Sequence, residues 1–325
     1  MIRFILKRLL ISALLLLAMS AVTFLLMRLT PGNYLDTMRL DPQISAETLA
    51  HYERIYRLEE PVWVQYVSWV WDVLQGDWGH SFYFNVPVTR VIKGRIGNTL
   101  LLSLSAFLLT WLCAIPLGVW ASVRRGRGVD RLVQAAAYFF LSIPGFFVAM
   151  VLLFWASGSG ILPLGGMTSP GFDRMGLLGK GGDLLRHLAI PTLALSLASI
   201  AALQRIMRGN MLEELGKQYV TALRAKGLSE TRVIYGHVLR NALNPLITLL
   251  GYEFAGLLSG AALIEIVTSW PGLGSLMLTA VRAKDIYLVM ASMMMGGLMF
   301  LLGNLLADIL LVKADPRIRL GDRRA

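Results

Sequence analysis

The sequence predicts an all-α polytopic membrane protein with six transmembrane helices and with its N- and C-termini in the cytoplasm. Of its 325 residues, 56% are hydrophobic and only 16% are charged, whereas about 25% of the residues in soluble domains are charged. The apolar residues are gathered into long runs, so the lipid bilayer has to be their solvent. Lysine and arginine are concentrated in alternate connections between these runs.

The six runs span residues 9–27, 98–123, 132–157, 187–203, 242–266 and 286–312. Each approaches the roughly 20 residues that a helix needs to cross the hydrocarbon core. The first run follows three basic residues, as a secretory signal does, but it is longer than the usual apolar core of roughly 7–15 residues. We therefore expect a retained first helix.

The orientation follows from the basic residues. With the N-terminus inside the cell, the pieces 1–8, 124–131, 204–241 and 313–325 hold 3, 4, 7 and 5 of the 31 Lys and Arg residues. Basic residues in short loops are retained in the cytoplasm, so both termini are expected there. This topology accounts for the net charge of +11. No basic stretch interleaves with stacking aromatic residues, and we expect no nucleic-acid partner.

The two longer external connections differ in composition. Segment 30–97 contains Trp63, Tyr66, Val67, Val70, Trp71 and Leu74. Their spacing predicts a short helix at the outer bilayer interface, with a local apolar cluster on the transmembrane bundle as the alternative. Loop 158–186 is rich in Gly and Pro, which predicts an irregular connection.

The longest predicted cytoplasmic loop, 204–243, is neither membrane-apolar nor disordered in composition. Leu212, Leu215, Tyr219, Ala222 and Leu223 recur at helical spacing, and the pattern ends at Gly227. Ser229 then offers a helix N-cap and Glu230 an acidic first turn. The pattern predicts two short amphipathic helices separated by a glycine at which the chain reverses. Such a projecting element favours docking of a partner.

Residues 219–230 and 237–245 resemble the cytoplasmic loop of binding-protein-dependent ABC importer permeases, in particular the B-type subunit of the dipeptide/oligopeptide/nickel family. In that family the loop forms a coupling helix that fits a groove on an ATPase subunit. Ala222 and Gly227 match the motif, whereas Thr221 replaces its Glu. A contact made by that carboxylate is therefore not carried over to this chain.

The resemblance extends over nearly the whole chain, through segments 1–9, 29–32, 76–81, 162–166, 269–274 and 315–319. It implies a type I ABC importer permease fold in a bacterial inner membrane. The implied ATPase-coupling residues are Tyr219, Thr221, Ala222, Arg224, Ala225, Lys226, Gly227 and Leu228. The implied partners are a homologous C-type permease, two ATPase subunits, an external solute-binding protein and membrane lipid.

With this resemblance the chain divides into four parts. They are the N-terminal segment with the first transmembrane helix (1–29), the external segment with interfacial helices (30–97), a five-helix permease core that includes coupling loop 204–243 (98–313), and a cytoplasmic tail (314–325). The sequence has no Gly-x-x-x-x-Gly-Lys-Ser/Thr motif. ATP and Mg are therefore expected on the partner ATPases, and no catalytic residue, cofactor or metal is expected in this chain, which is not predicted to be an enzyme.

Several ionisable or adaptable residues fall inside the apolar runs. Glu253 and Met294 are candidates for the translocation path. The alternatives are that Glu253 pairs inside the bundle, that Met294 packs, and that Glu265 and Asp308 lie near helix ends where solvent or backbone satisfies them. Pro116, Pro144 and Pro191 are candidate kinks.

Two other functions remain as alternatives. A stand-alone ion-coupled carrier would use Glu253 as its coupling carboxylate. An intramembrane enzyme would need a catalytic motif in the apolar runs, and none is found. Within the resembling family, di- and oligopeptides are the favoured solutes, whereas nickel chelates, glutathione and certain sugars are moved by related permeases.

Overall fold

The computed structural model describes residues 2–30 and 60–314, together with the isolated positions 32, 39, 45 and 47. Tail residues 315–325, the segment 315–319 within them, and most of residues 31–59 of the predicted external segment lie outside the described residues. The described helices are α1 Ile2–Leu29, α2 Val62–Leu74, α3 Val88–Val123, α4 Gly128–Ser142, α5 Gly145–Ser159, α6 Leu177–Leu215, α7 Gln218–Ala225, α8 Leu239–Val267, α9 Leu273–Arg282 and α10 Ile286–Ala314.

Shorter elements connect these helices. Strands β1 (His80–Ser81) and β2 (Val86–Pro87) form an antiparallel hairpin. A single 3-10 turn covers Phe172–Arg174, and a π-helical segment, Arg232–Val238, leads into α8. The predicted all-α fold is confirmed for the described residues.

Five described helices are long and apolar enough to cross a membrane: α1, α3, α6, the Leu249–Val267 part of α8 and the Ile286–Leu305 part of α10. Helices α4 and α5 together supply a sixth span if the bent pair is taken as one. Judged by length and composition, the described helices can therefore supply the six predicted spans.

The span predicted over 132–157 is not a straight helix. Helices α4 and α5 meet at 101°. Ile143 between them is extended, with φ −106° and ψ 127°, because a proline disfavours helical geometry in the residue before it and donates no backbone hydrogen bond itself. Pro144 therefore breaks the span, whereas Pro116 and Pro191 lie inside continuous helices.

The chain divides into two compact units, Met1–Thr99 with Pro271–Met299 and Leu100–Trp270 with Phe300–Ala325. In the first unit, α2 packs on α1. The Tyr66 hydroxyl lies 2.8 Å from Ser20 Oγ and donates to the Leu17 carbonyl at 3.1 Å. Phe24 and Trp69 are buried in the same cluster. The helix predicted from the aromatic spacing is confirmed.

The residues whose spacing predicted α2 lie mostly on its exposed side: Trp63 and Trp71 are 71% and 64% exposed, whereas Gln65 is buried. The opposite side carries the apolar cluster against α1 that the alternative predicted. The exposed rings are consistent with a helix at the bilayer interface.

The hairpin of the first unit is attached to the start of α10 by one carboxylate. Ser81 Oγ donates to Asp285 Oδ2 at 2.6 Å, and the backbone N–H of Tyr83 donates to the same oxygen at 3.1 Å. Asp285 Oδ1 accepts from the N–H of Leu288 at 3.2 Å. Asp285 is fully buried, and this burial raises the pKa of its carboxyl.

In the second unit, α6 packs against α4, α5 and α8. It has 39 residues, which at 1.5 Å per residue is about 58 Å, nearly twice the roughly 30 Å of a hydrocarbon core. The expectation that all of 158–186 is irregular is wrong, because α6 already begins at Leu177. The glycines that suggested a loop lower helix propensity by only about 1 kcal/mol each.

A buried histidine holds the preceding loop to α6. His187 Nε2 lies 3.1 Å from Ser169 Oγ, and its Nδ1 lies 3.2 Å from the Gly166 carbonyl. The backbone N–H of Ser169 also donates to Asp183 at 2.8 Å. We call residues 166–169 the His187 strap. In a nucleophilic triad the carboxylate would contact the ring nitrogen opposite the serine, but here a carbonyl occupies that place, so the contacts serve to hold the strap.

Candidate functional site

The loop that carries the predicted coupling residues begins with a tight turn after α6. Lys217 forms an ion pair with Glu214 in this turn, and the hydrogen bond to Glu214 raises the pKa of Lys217. The Tyr219 hydroxyl donates to Glu214 at 2.7 Å and accepts from Asn241 Nδ2 at 3.2 Å. Burial raises the pKa of Tyr219. These contacts fix the entry into α7.

Helix α7 is buried on one side only. Val220 is fully buried, and Leu223 is half-buried beside it. Val220 belongs to a cluster with Met207 and Met211 of α6 and with Val238 at the entry to α8. Because apolar interiors are close-packed and transmit strain, a displacement of α7 is expected to move the adjoining parts of α6 and α8.

The other side of α7 is open. The sequence-predicted coupling residues on this side are Thr221, Ala222, Arg224, Ala225, Lys226 and Gly227, all exposed; Tyr219 and Leu228 are half-buried. The structure thus brings the eight predicted residues together on one short helix and the turn that follows it. Their role in coupling stays a prediction.

Gly227 ends α7 in a left-handed turn. Its φ is +79°, a conformation that costs other residues about 1–2 kcal/mol. Its N–H donates to the Arg224 carbonyl at 2.9 Å, and the N–H of Leu228 donates to the Leu223 carbonyl at 3.4 Å. Arg224 then pairs with Glu230 at 2.7 Å across the turn. The predicted glycine reversal is present in the structure.

The second predicted short helix is not a separate element. The chain becomes helical again at Glu230, directly after Ser229, but it continues through the π-helical segment into α8. Likewise, Leu212 and Leu215 of the predicted first helix belong to α6. Only α7 is short. Its neighbours continue into the predicted membrane spans, because nothing in the sequence between Glu230 and Leu239 stops a helix.

Two depressions flank the π-helical segment. One, of about 490 Å³, lies beside α7 and is lined by Tyr219, Ala222, Leu223, Lys226, Gly236, His237, Arg240 and Asn241; we call it the α7 pocket. The other, of about 360 Å³, is largely apolar and is lined by Ile115, Pro116, Leu117, Val119, Trp120, Tyr235 and Leu239. No sequence pattern predicts either depression, because the lining residues come from separate segments of the chain.

An ion pair that sequence analysis also missed joins α4 to α6. Arg208 donates from Nε and Nη2 to the two carboxylate oxygens of Asp130. One helical turn earlier, the Arg205 guanidinium lies 4.5 Å from the centre of the Tyr138 ring, a cation–π distance. In the sequence Arg205 and Arg208 indicate only the topology, whereas in the structure both connect α6 to α4.

The candidate path residues lie in different surroundings. Glu253 is half-buried in α8 and makes no ion pair or hydrogen bond within the described part of the chain, so the expected pairing inside the bundle is not seen there. Met294 packs against the cluster of Phe24, Trp69 and Met290, as its packing alternative predicts. Glu265 and Asp308 are both buried, so of the two expected ways to satisfy them, solvent and a neighbouring backbone, bulk solvent does not apply. The lining of a translocation path by Glu253 or Met294 stays a prediction.

Comparison with known proteins identifies the family. The family model described as "Binding-protein-dependent transport system inner membrane component" matches residues 114–320, and the model for the N-terminal part of such components matches residues 1–105. This match covers both the spans and loop 204–243. It gives no support to the stand-alone carrier or to the intramembrane enzyme.

Curated relatives align over almost their entire length. The chain is 34% identical to the oligopeptide transport system permease protein AppB of Bacillus subtilis over 97% of this chain and 98% of that protein. It is 33% identical to the dipeptide transport system permease protein DppB of Escherichia coli and to the glutathione transport system permease protein GsiC of Salmonella typhimurium, each over 98% of this chain and 99% of the relative. The chain therefore belongs to the family of binding-protein-dependent transport system inner membrane components, as a multi-pass permease subunit.

Proposed function

We propose that this permease subunit imports di- or oligopeptides and that ATP hydrolysis by partner subunits drives it through residues 219–228. Two of the relatives, AppB and DppB, are named for oligopeptides and dipeptides. A third, GsiC, is named for glutathione, which is itself a tripeptide. Short peptides are thus the solute class common to the three names. Nickel chelates, glutathione as a dedicated solute and sugars are the alternatives within the family.

The observation that carries the coupling proposal is the two-sided packing of α7. One side is exposed, whereas Val220 on the other side is fully buried among side chains of α6 and the entry to α8. A partner that moves the exposed side would therefore displace both long helices. This is the mechanical property that a coupling element needs.

The proposed partners are inferred from the missing nucleotide-binding motif and from the family to which the chain belongs. The sequence has no phosphate-binding loop of the Walker type, so ATP and Mg are assigned to two separate ATPase subunits. The family is binding-protein-dependent, which supports an external solute-binding protein. Two ATPases call for two coupling helices, and hence for a homologous C-type permease that completes the path. The chain itself is then no enzyme.

The topology is part of the same proposal. Placing α7 against a cytoplasmic ATPase puts loop 204–243 inside the cell and both termini with it. The division into residues 1–29, 30–97, 98–313 and 314–325 remains the proposed organisation. Labelling of a cysteine introduced at Thr221 or at Trp63, in a chain whose native Cys113 is replaced by Ala, with a membrane-impermeant reagent tests it. Only the Trp63 position should react from outside the cell.

The coupling proposal is tested in proteoliposomes that contain the four membrane-complex subunits and the binding protein. Ala222→Glu with Ala225→Glu is expected to abolish the stimulation of ATP hydrolysis by solute-loaded binding protein. Arg127→Glu, an exposed change in another predicted cytoplasmic loop, is the matched control. Unchanged stimulation in an assembled Ala222/Ala225 variant would refute the proposal.

The solute is tested separately by competition. Unlabelled dipeptides and tripeptides should inhibit uptake of a labelled peptide mixture, whereas nickel–histidine complexes and disaccharides should not. Uptake by vesicles that hold this chain alone, without ATP, would instead support a carrier that uses Glu253.

A further inference from the structure

The α7 pocket is positively charged. Its lining includes Lys226, Arg240 and His237, and it includes no carboxylate. Lys226, Arg240 and His237 are exposed. The pocket therefore offers an ammonium and a guanidinium group to whatever enters it.

The charges of the surrounding loop do not neutralise these groups. The carboxylates of Glu214 and Glu230 are engaged by Lys217 and Arg224. Lys226 and Arg240 form no ion pair with any residue that the structure describes. The two cations on the pocket wall are thus left for a ligand from outside the chain.

The pocket is also held open by its own contacts. Asn241 donates to the Tyr219 hydroxyl, which donates to Glu214, and this chain of bonds fixes one wall. Gly236, in the π-helical segment, contributes no side chain to the lining. A preorganised wall reduces the ordering cost of binding.

We propose that the α7 pocket receives an acidic side chain, Asp or Glu, from the ATPase subunit. This proposal rests on the proposed coupling function. Ala222 belongs both to the exposed side of α7 and to the pocket wall, so a protein that covers α7 also covers the mouth of the pocket. An ATPase is favoured over an anionic lipid headgroup for this reason.

The charge arrangement explains why Thr221 is compatible with coupling. The family motif places a carboxylate on the permease at this position, and this chain has none there. Here the permease supplies the cations, from Lys226 and Arg240, and the ATPase supplies the carboxylate. In the proposed docking contact, the permease therefore contributes the positive charges.

The test is the affinity of the purified ATPase subunit for the permease pair, measured in detergent at several salt concentrations. Lys226→Glu and Arg240→Glu are expected to weaken binding about tenfold or more each and to reduce its dependence on salt. The neutral variants Lys226→Gln and Arg240→Gln should have smaller effects in the same direction. Arg131→Glu, an exposed change outside the loop, is the control.

A charge reversal on the partner completes the test. Changing an Asp or Glu in the ATPase groove to Lys should restore a large part of the affinity that Lys226→Glu loses. Melting temperatures of the variants identify any that fail to fold, and the Gln variants then decide the result.

The outcomes separate this proposal from the coupling function. If Ala222→Glu with Ala225→Glu uncouples the complex while all pocket variants bind the ATPase normally, the coupling function stands and the acidic contact is refuted. If both sets have no effect, both proposals fail. If the pocket variants lose affinity only for vesicles that contain phosphatidylglycerol, with ATPase binding unchanged in detergent, the occupant is a lipid headgroup and the proposal is overturned.

Discussion

Asp130 of α4 and Arg208 of α6 form a two-point ion pair, with Nε–Oδ1 and Nη2–Oδ2 distances of 2.7 and 2.8 Å. Asp130 is only 4% exposed, and its carboxylate also accepts the N–H of Gly126 at 2.8 Å. The pair therefore joins α6, α4 and the turn before α4. If α6 moves with α7, the start of α4 is expected to move with it.

The strength of this pair is testable with a double-mutant cycle. Asp130→Asn and Arg208→Gln should each lower the melting temperature of the purified complex, because each leaves a poorly solvated charge without its partner. The double variant should lose less free energy of unfolding than the two single variants lose together. The expected coupling free energy is about 1–3 kcal/mol. Strictly additive losses would contradict a stabilising pair.

Close contact between α3 and α6 depends on Gly118. A Cβ atom at this position would lie 2.7 Å from Met207 Cβ and 2.8 Å from the Gln204 carbonyl oxygen. Gly118→Ala should therefore destabilise the protein by about 1–3 kcal/mol, as expected for overpacking. The control is Gly209→Ala in α6, where the Cβ meets nothing within 4 Å and a gain of about 0.5–1 kcal/mol is expected. Thermal melting in detergent compares the two; equal melting temperatures would argue against the close contact.

The turn after α7 requires the positive φ of Gly227, although the space around it is open. Gly227→Ala is expected to cost about 1–2 kcal/mol locally, and Gly227→Asn less. Amide hydrogen exchange of residues 218–228 measures this effect as faster exchange. Gly216→Ala is the control, because Gly216 has φ −81°. Equal exchange in the two alanine variants would show that the strained turn does not limit local stability.

The hairpin attached to Asp285 should respond to pH. Because burial raises the pKa of Asp285, the native state holds this proton more tightly than the unfolded chain does. The stability that this group contributes is then fully present below about pH 4, the ordinary pKa of Asp, and is lost as pH rises through the raised pKa. The melting temperature of the unaltered protein minus that of Asp285→Asn should therefore fall between pH 4 and pH 8.

Asp77→Asn, an exposed change in the same segment, serves as the control for the Asp285 measurement. The melting temperature of the unaltered protein minus that of Asp285→Asn could instead grow with pH. That result would mean that the hydrogen bonds from Ser81 and Tyr83 lower the pKa of Asp285 more than burial raises it. The assignment of the pKa direction would then be wrong.

Hydropathy was sufficient to predict the membrane spans, because a bilayer demands a run of apolar residues whatever the tertiary packing. It did not predict where the helices end. Helix α6 continues past both ends of the predicted 187–203 run, since polar residues do not stop a helix that is already formed. Pro144 was recognised as a candidate kink, but the 101° angle depends on packing around the break.

The short helix and its glycine turn were also predictable, because amphipathic spacing and Gly227 are local signals. The α7 pocket was not. Lys226 and Arg240 are 14 positions apart in the sequence, and the turn at Gly227 together with the π-helical segment brings them to one wall. No periodic pattern reports a π-helical segment. The same limit applies to Asp130 and Arg208, which belong to different helices.

The His187 strap is attached at a special position on α6. Pro191, four residues later, has no N–H, so the His187 carbonyl lacks the donor that an uninterrupted helix would supply. The side chain of His187 thus holds the loop at the level where the backbone of α6 has one hydrogen bond fewer. Tightening or releasing the strap would act on α6 next to Pro191, and the same continuous helix ends three residues before Gln218, where α7 begins. If residues 219–228 contact an ATPase as proposed, a change at the strap would reach that contact along the backbone of α6.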